Sequence, residues 1–273
     1  MAFLEINNDN IYFEVHGAGE PLILLHGMGG NHATWYQQTA VFAKGYQVIV
    51  IDQRGFGNST DTDNLGKSGF VSDLTAVLDH LNIDKVALLG QSMGAGTAIT
   101  FAAQNPERVS ALIIADSLHA IEESKDVAAI MDKARKETDG LSQIERVLGT
   151  ETIVRNPTAA MLYQQINSFN VTNRSNLIGQ YSNNKVLPST LSALGVPVMF
   201  IVGHDDVLFP LSAVRLVQEQ VEGSFIIEFD KCGHSAFYER AQEFNDSVLS
   251  LLQMAGLEPI QDAHSNASGY AKV

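Results

Sequence analysis

Hydrophobic positions along the chain fall into two alternating kinds of block. Continuous apolar runs of strand length recur at Pro21–Leu25, Gln47–Ile51, 86–89, 111–114, 197–202 and Phe225–Phe229. A run that is apolar at nearly every position reads as a strand buried on both faces. Between these runs the apolar period becomes helical. Phe70, Leu74, Val77, Leu78 and Leu81 form one stripe. Leu211, Val214 and Val217 form a second, after Pro210. Phe237, Ala241, Phe244, Val248, Leu251 and Leu252 form a third. Asn31 is expected to cap a helix over 34–43 that stops at Gly45, and Ser68 to cap the helix that carries Phe70. Residues 2–6 and 11–16 read as two short strands, the second alternating Ile11, Phe13 and Val15. Strand followed by helix, repeated, implies the α/β class: a mostly parallel central sheet covered by helices on both faces.

The alternation stops between 118 and 194. This segment is helix-prone and locally charged, and it carries Met161, Leu162, Tyr163, Phe169 and Tyr181. It is too long for a simple crossover. The expected organisation is therefore a core of 1–117 and 195–273, with 118–194 inserted as a helical cap or lid. Such an insertion leaves from the carboxyl edge of the sheet, where open α/β folds place their chemistry. The polar tail 261–273 reads as a loosely held end.

One stretch carries a sharper signal. The run 86–89 leads into Gly90-Gln91-Ser92-Met93-Gly94, and a small-residue helix, Met93–Gln104, follows until Asn105-Pro106 ends it. Strand, tight turn and helix around G-x-S-x-G is the setting of a nucleophile elbow. Ser92 at the apex is the candidate nucleophile, and the Met93 N–H faces a developing oxyanion. A serine hydroxyl needs a base, and a histidine base needs a carboxylate to hold its tautomer. Of eight histidines, His234 alone follows the last strand, after a glycine. His26 opens the loop His26-Gly27-Met28-Gly29-Gly30 and reads as its brace. Asp116, Asp205 and Asp206 all follow strands whose ends share the edge with Ser92, so each is a candidate acid. A metal at His204-Asp205-Asp206 is disfavoured, because adjacent side chains point in different directions.

Composition narrows the partners. The net charge of −14 disfavours nucleic acid and anionic membrane surfaces. A single cysteine, Cys232, permits no internal disulfide. The sequence shows neither a signal-peptide pattern nor an apolar run of membrane-spanning length. A soluble, cytoplasmic protein acting on a small molecule is the expectation.

Five motifs in order resemble those of the α/β-hydrolase superfamily: His26-Gly27-Met28-Gly29, Asp52-Gln53-Arg54-Gly55-Phe56-Gly57-Asn58-Ser59, Gly90-Gln91-Ser92-Met93-Gly94, Gly203-His204-Asp205-Asp206 and Gly233-His234. The resemblance covers 10–117 and 195–255 and is to the branch with one helical cap between the sixth and seventh core strands. It implies a Ser92–His234–Asp206 triad, with the acid three residues after Gly203. It also implies an oxyanion hole from the N–H groups of Met28 and Met93, a structural role for Asp52 and Arg54, and no metal or cofactor. Serine at 92 argues against dehalogenase and epoxide hydrolase chemistry, which use aspartate there. Carbon–carbon bond hydrolases often carry proline in the first loop and tryptophan after the histidine, where this chain has Met28-Gly29-Gly30 and Ser235. The expected activity is hydrolysis of a carboxylic ester, with a lactone as one form. Carbon–carbon hydrolysis or cofactor-free oxidation at the same site is the enzymatic alternative. A ligand-binding protein on a hydrolase scaffold is the non-enzymatic one.

Overall fold

Each apolar run becomes a strand, covered on both faces except in the half-buried edge strand at Phe225–Phe229, and the strand ends fall level on one edge. The computed structural model describes residues 1–170 and 185–260. Tyr181, His264 and the tail 261–273 lie outside the described residues, as does part of the expected 118–194 insertion. The elements run β1 (Ala2–Ile6), β2 (Asp9–His16), β3 (Pro21–Leu25), α1 (Tyr36–Phe42), β4 (Gln47–Ile51), α2 (Phe70–His80), β5 (Val86–Gln91), α3 (Met93–Gln104) and β6 (Val109–Ala115). They continue with α4 (Lys125–Thr138), α5 (Gln143–Val147), α6 (Thr150–Arg155), α7 (Pro157–Ser168), α8 (Pro188–Ser192), β7 (Val198–Gly203), α9 (Leu211–Gln218), β8 (Phe225–Phe229), α10 (Ala236–Glu239) and α11 (Ala241–Met254).

The sheet order is β1-β2-β4-β3-β5-β6-β7-β8. The β1–β2 hairpin joins β4 antiparallel, and every pairing from β4 to β8 is parallel. The expected α/β architecture is the observed one. Period-two alternation splits each buried strand between two cores. Leu22, Leu24, Val48, Val50, Leu89 and Ile113 pack with α1 and α11. Ile23, Leu25, Ile49, Leu88, Leu112 and Phe200 pack with α2, α3 and α9. Among the described residues no helix is long and apolar enough to cross a membrane.

Register fixes where the site can form. Leu25 pairs with Gly90, Gln91 with Ala115, Ala115 with Ile201, and Gly203 with Phe229. The residues that follow these strands therefore share one rim.

Local differences from the sequence expectations have physical causes. Asn31 does cap, but the first turn, His32–Trp35, is a 3-10 helix before α1 begins. There Asp52 Oδ1 accepts the His32 N–H at 2.6 Å and so competes for the turn. Ser68 lies inside a 3-10 turn, Gly66–Gly69, with its hydroxyl bonded back to the Leu65 carbonyl, so it does not cap α2. The last helical stripe is broken at Arg240 into α10 and α11. Within 118–194, the start and end belong to the flanks of the core. Val127 and Met131 of α4 and Leu191 of α8 join the cluster beneath α9 and α3. The apolar faces of α4 and α8, at the two ends of the 118–194 insertion, are thus shared with core helices.

Candidate functional site

Ser92 is held at φ 49°, ψ −115° between β5 and α3. That left-handed backbone is costly for a residue with a Cβ and persists only when its surroundings impose it. They do so here. The Ser92 N–H donates to the Ala115 carbonyl at 2.9 Å, and the Ser92 carbonyl accepts from the Ser117 hydroxyl at 2.9 Å. A Cβ on Gly94 would lie 2.0 Å from the Leu25 carbonyl oxygen. Glycine there is what lets α3 cross so close to β3.

The first glycine loop folds against this turn. A Cβ on Gly27 would sit 3.1 Å from Ser92 Cβ. His26 orders the loop from beneath. Its Nε2 accepts the Gln53 N–H at 3.0 Å, so that nitrogen carries no proton. Nδ1 is then the donor, and it lies 2.8 Å from the Gly27 carbonyl. Burial depresses the His26 pKa, which keeps this neutral tautomer. The Gly30 N–H donates to the same carbonyl at 3.0 Å. In a trans peptide the N–H points opposite the C=O. With the Gly27 carbonyl held downward, the Met28 N–H is turned away from it. The Met93 N–H lies in the first turn of α3, at the positive end of the helix dipole.

His234 follows β8 in a turn tied to the elbow: its carbonyl accepts from Gln91 Nε2 at 2.8 Å. Its ring stacks on Phe209 at 5.6 Å and 19°. Nδ1 lies 2.9 Å from Asp206 Oδ2. The other Asp206 oxygen accepts the N–H groups of Leu208 and Phe209 at 2.8 and 2.9 Å. Burial by itself would lower the His234 pKa, but the charge of Asp206, its hydrogen bond, and the charges of Asp116 and Glu239 outweigh burial and hold it above the ordinary histidine value.

The three candidate acids separate clearly. Asp206 meets His234. Asp116 is fully buried, accepts the Ala236 N–H at 2.9 Å through Oδ2, and has no partner for Oδ1 among the described residues. Burial, followed by the Asp206 charge, raises its pKa well above the usual carboxylate range. Asp205 is exposed and pairs through its backbone with Cys232. His204 turns to Glu228 at 3.2 Å, away from Asp206. Among the described residues no group of three or more His, Cys, Asp or Glu side chains could hold a metal ion.

Asp52 and Arg54 shape the second loop. Asp52 grips His32 and the Asn58 N–H. Arg54 is buried, bidentate with Asp73 at 2.6 and 2.8 Å, and paired with Asp9. Sequence reasoning missed the residues that tie the α5–α7 region to these loops. Asn170 Nδ2 donates to the Gly29 and Gly30 carbonyls at 2.5 and 3.1 Å. The Tyr163 hydroxyl lies 3.3 Å from Ser235 Oγ. Neither carries a sequence signal, because each bridges residues far apart along the chain.

Comparison with known proteins agrees with this architecture. Residues 20–146 match a family model described as the alpha/beta hydrolase fold. A 2-hydroxy-6-oxononadienedioate/2-hydroxy-6-oxononatrienedioate hydrolase from Paraburkholderia phymatum is 30% identical, over 89% of this chain and 90% of its own length. A protein of the same name from Burkholderia vietnamiensis is 29% identical, over 92% and 95%. The enol-lactonase from Burkholderia xenovorans superposes with a TM-score of 0.76 at 20% identity, over 92% of this chain and 100% of its own. The chain belongs to the α/β-hydrolase family.

Proposed function

We propose that the protein is a serine hydrolase of carboxylic esters, lactones included, that works through an acyl-enzyme on Ser92. The observation that carries the reading is the 2.9 Å contact between His234 Nδ1 and Asp206 Oδ2 on the rim that also bears Ser92. With Nδ1–H given to Asp206, Nε2 is the lone pair available to the serine hydroxyl. His234 takes the Ser92 proton as Oγ attacks the acyl carbonyl. The N–H groups of Met28 and Met93 receive the oxyanion. His234 then protonates the leaving alcohol and activates the water that clears the acyl group. Asp206, hydrogen-bonded to Nδ1, steadies the imidazolium. These groups are sufficient for an ester, whose leaving alkoxide needs only the proton that His234 holds. Helices α5–α7 are assigned to a cap over the site, with a small-molecule substrate and a cytoplasmic setting.

A second reading is carbon–carbon bond hydrolysis. The names of the two relatives favour it, since both are hydrolases of 2-hydroxy-6-oxononadienedioate and 2-hydroxy-6-oxononatrienedioate. The same serine, base and oxyanion donors would act on a ketone.

Hydrolysis of p-nitrophenyl esters from acetate to decanoate, beside a 2-hydroxy-6-oxo-dienoate, separates the two, with Ser92→Ala as control. Ester turnover lost in Ser92→Ala supports the first reading. Turnover of the dienoate alone replaces it with the second. No turnover of either, with a folded chain, removes both.

A further inference from the structure

His234 is gripped from a direction that the proposed mechanism does not use. Glu239, the last residue of α10, turns its carboxylate back toward the turn that holds His234. Oε1 accepts the Gly233 N–H at 2.9 Å. Oε2 accepts the Gly149 N–H at 2.8 Å and the Thr152 hydroxyl at 2.6 Å. One side chain thus closes three donors, two from the α5–α6 junction and one from the residue before His234. The two backbones touch at this point. A Cβ on Gly233 would lie 2.3 Å from Gly149 N, and a Cβ on Gly149 would lie 2.9 Å from Gly233 N and 3.1 Å from Glu239 Oε2. No room remains for either strand of chain to slide past the other. The last helical stripe breaks at Arg240, immediately after Glu239.

We propose that Glu239 is a positioning residue, a clasp that locks the α5–α6 junction to Gly233 and thereby fixes the imidazole of His234 against Ser92. The inference rests on the serine-hydrolase reading above. It makes the placement of the base depend on the docking of helices α5 and α6. Only an acceptor-only group satisfies three converging donors. Glutamine must present an NH2 to one of them, so Glu239→Gln loosens the clasp while keeping its shape. It also removes a negative charge from the surroundings of His234. The charged and titratable groups facing His234 are Asp206 after β7, Asp116 and His119 after β6, and Glu239 itself. Cys232 and Tyr163 face Glu239. Of these only Glu239 changes in the variant.

The test is the second-order rate at which a fluorophosphonate labels Ser92, followed from pH 5 to 9 together with the melting temperature. This reagent reports the serine and its base without requiring the natural substrate. Wild type labelled at Ser92 establishes the underlying reading, and wild type left unlabelled overturns it before Glu239 is at issue. With wild type labelled, Glu239→Gln is expected to react about 10²-fold more slowly, as small misplacements of a reacting group do. Its acidic limb is expected at lower pH than in wild type, since a charge that favours the imidazolium is gone. Gly149→Ala pushes the junction off Gly233 while removing no charge, although its Cβ also crowds Glu239 Oε2. It is expected to slow labelling with a smaller shift of the pH midpoint than Glu239→Gln gives, and it decides the matter if Glu239→Gln does not fold. Wild-type rates and midpoints in folded variants, whatever their melting temperatures, would overturn the clasp and leave a purely structural contact.

Discussion

His26→Phe tests the link between a buried tautomer and catalysis. A planar ring is kept, one ring atom larger than imidazole, and with it the edge-to-face pairing with Phe56, now at 5.2 Å and 66°. Both ring nitrogens are lost. The Gln53 N–H, now 3.0 Å from Nε2, is left buried without that acceptor, at a cost of about 1–3 kcal/mol. At roughly 2–4 °C per kcal/mol for a chain of this size, the melting temperature falls by roughly 2–12 °C. The Gly27 carbonyl keeps only the Gly30 N–H. The Gly27–Met28 peptide is then free to rock, and the Met28 N–H leaves its aim. Loss of one oxyanion donor costs about 10²–10³ in kcat, or about 2.7–4 kcal/mol of transition-state stabilisation. That range is the expected upper bound, with KM for p-nitrophenyl acetate little changed. The pH dependence provides a second check. Burial lowers the folded-state pKa of His26, so the unfolded chain binds its proton first as pH falls below about 6.5. Wild type loses that stability on acidification, and the phenylalanine variant has no such group. The stability gap between them is therefore expected to narrow below about pH 6.5 in urea titrations. A variant with a lowered melting temperature and unchanged kcat would refute the argument, because it would separate the brace from the oxyanion donor.

Three further outcomes follow from the same geometry. Ser92→Ala is expected to cut turnover by about 10⁴ or more with the melting curve retained, and a near-wild-type rate would remove Ser92 as nucleophile. Asp206→Asn is expected to cost on the order of 10⁴ in kcat through the wrong tautomer of His234, whereas Asp116→Asn, which can still accept the Ala236 N–H, is expected to cost far less; equal losses would mean that the acid is misassigned. Activity is expected to rise with pH as His234 loses its proton, with a midpoint above about 6.5 because Asp206, Asp116 and Glu239 together outweigh burial; a profile flat from pH 5 to 8 would exclude a histidine base.

Much of this molecule is decided locally, and the sequence by itself determines that part. Continuous apolar runs such as Pro21–Leu25 can be satisfied only between two helical layers, so their periodicity carries the α/β class and the parallel core. Gly90-Gln91-Ser92-Met93-Gly94 carries the elbow because glycine alone fits where a Cβ would strike backbone, as at Gly94 against Leu25. His234 is legible from its place after the last strand, since parallel strands bring their carboxyl ends to one rim. The choice between Asp116, Asp205 and Asp206 was not legible from the spacing of residues alone. All three follow strands on that rim, and only the tertiary structure aims Asp206 at His234 while burying Asp116 against Ala236 N. The helix boundaries near Ser68 and Arg240 were equally hidden, because side chains bonding back to backbone override periodicity there. Contacts such as Asn170 on Gly29 or Glu239 on Gly149 join residues 141 and 90 positions apart. No local pattern encodes them: they exist only once the chain has packed, when buried donors require acceptors and the nearest one in space is far away in sequence.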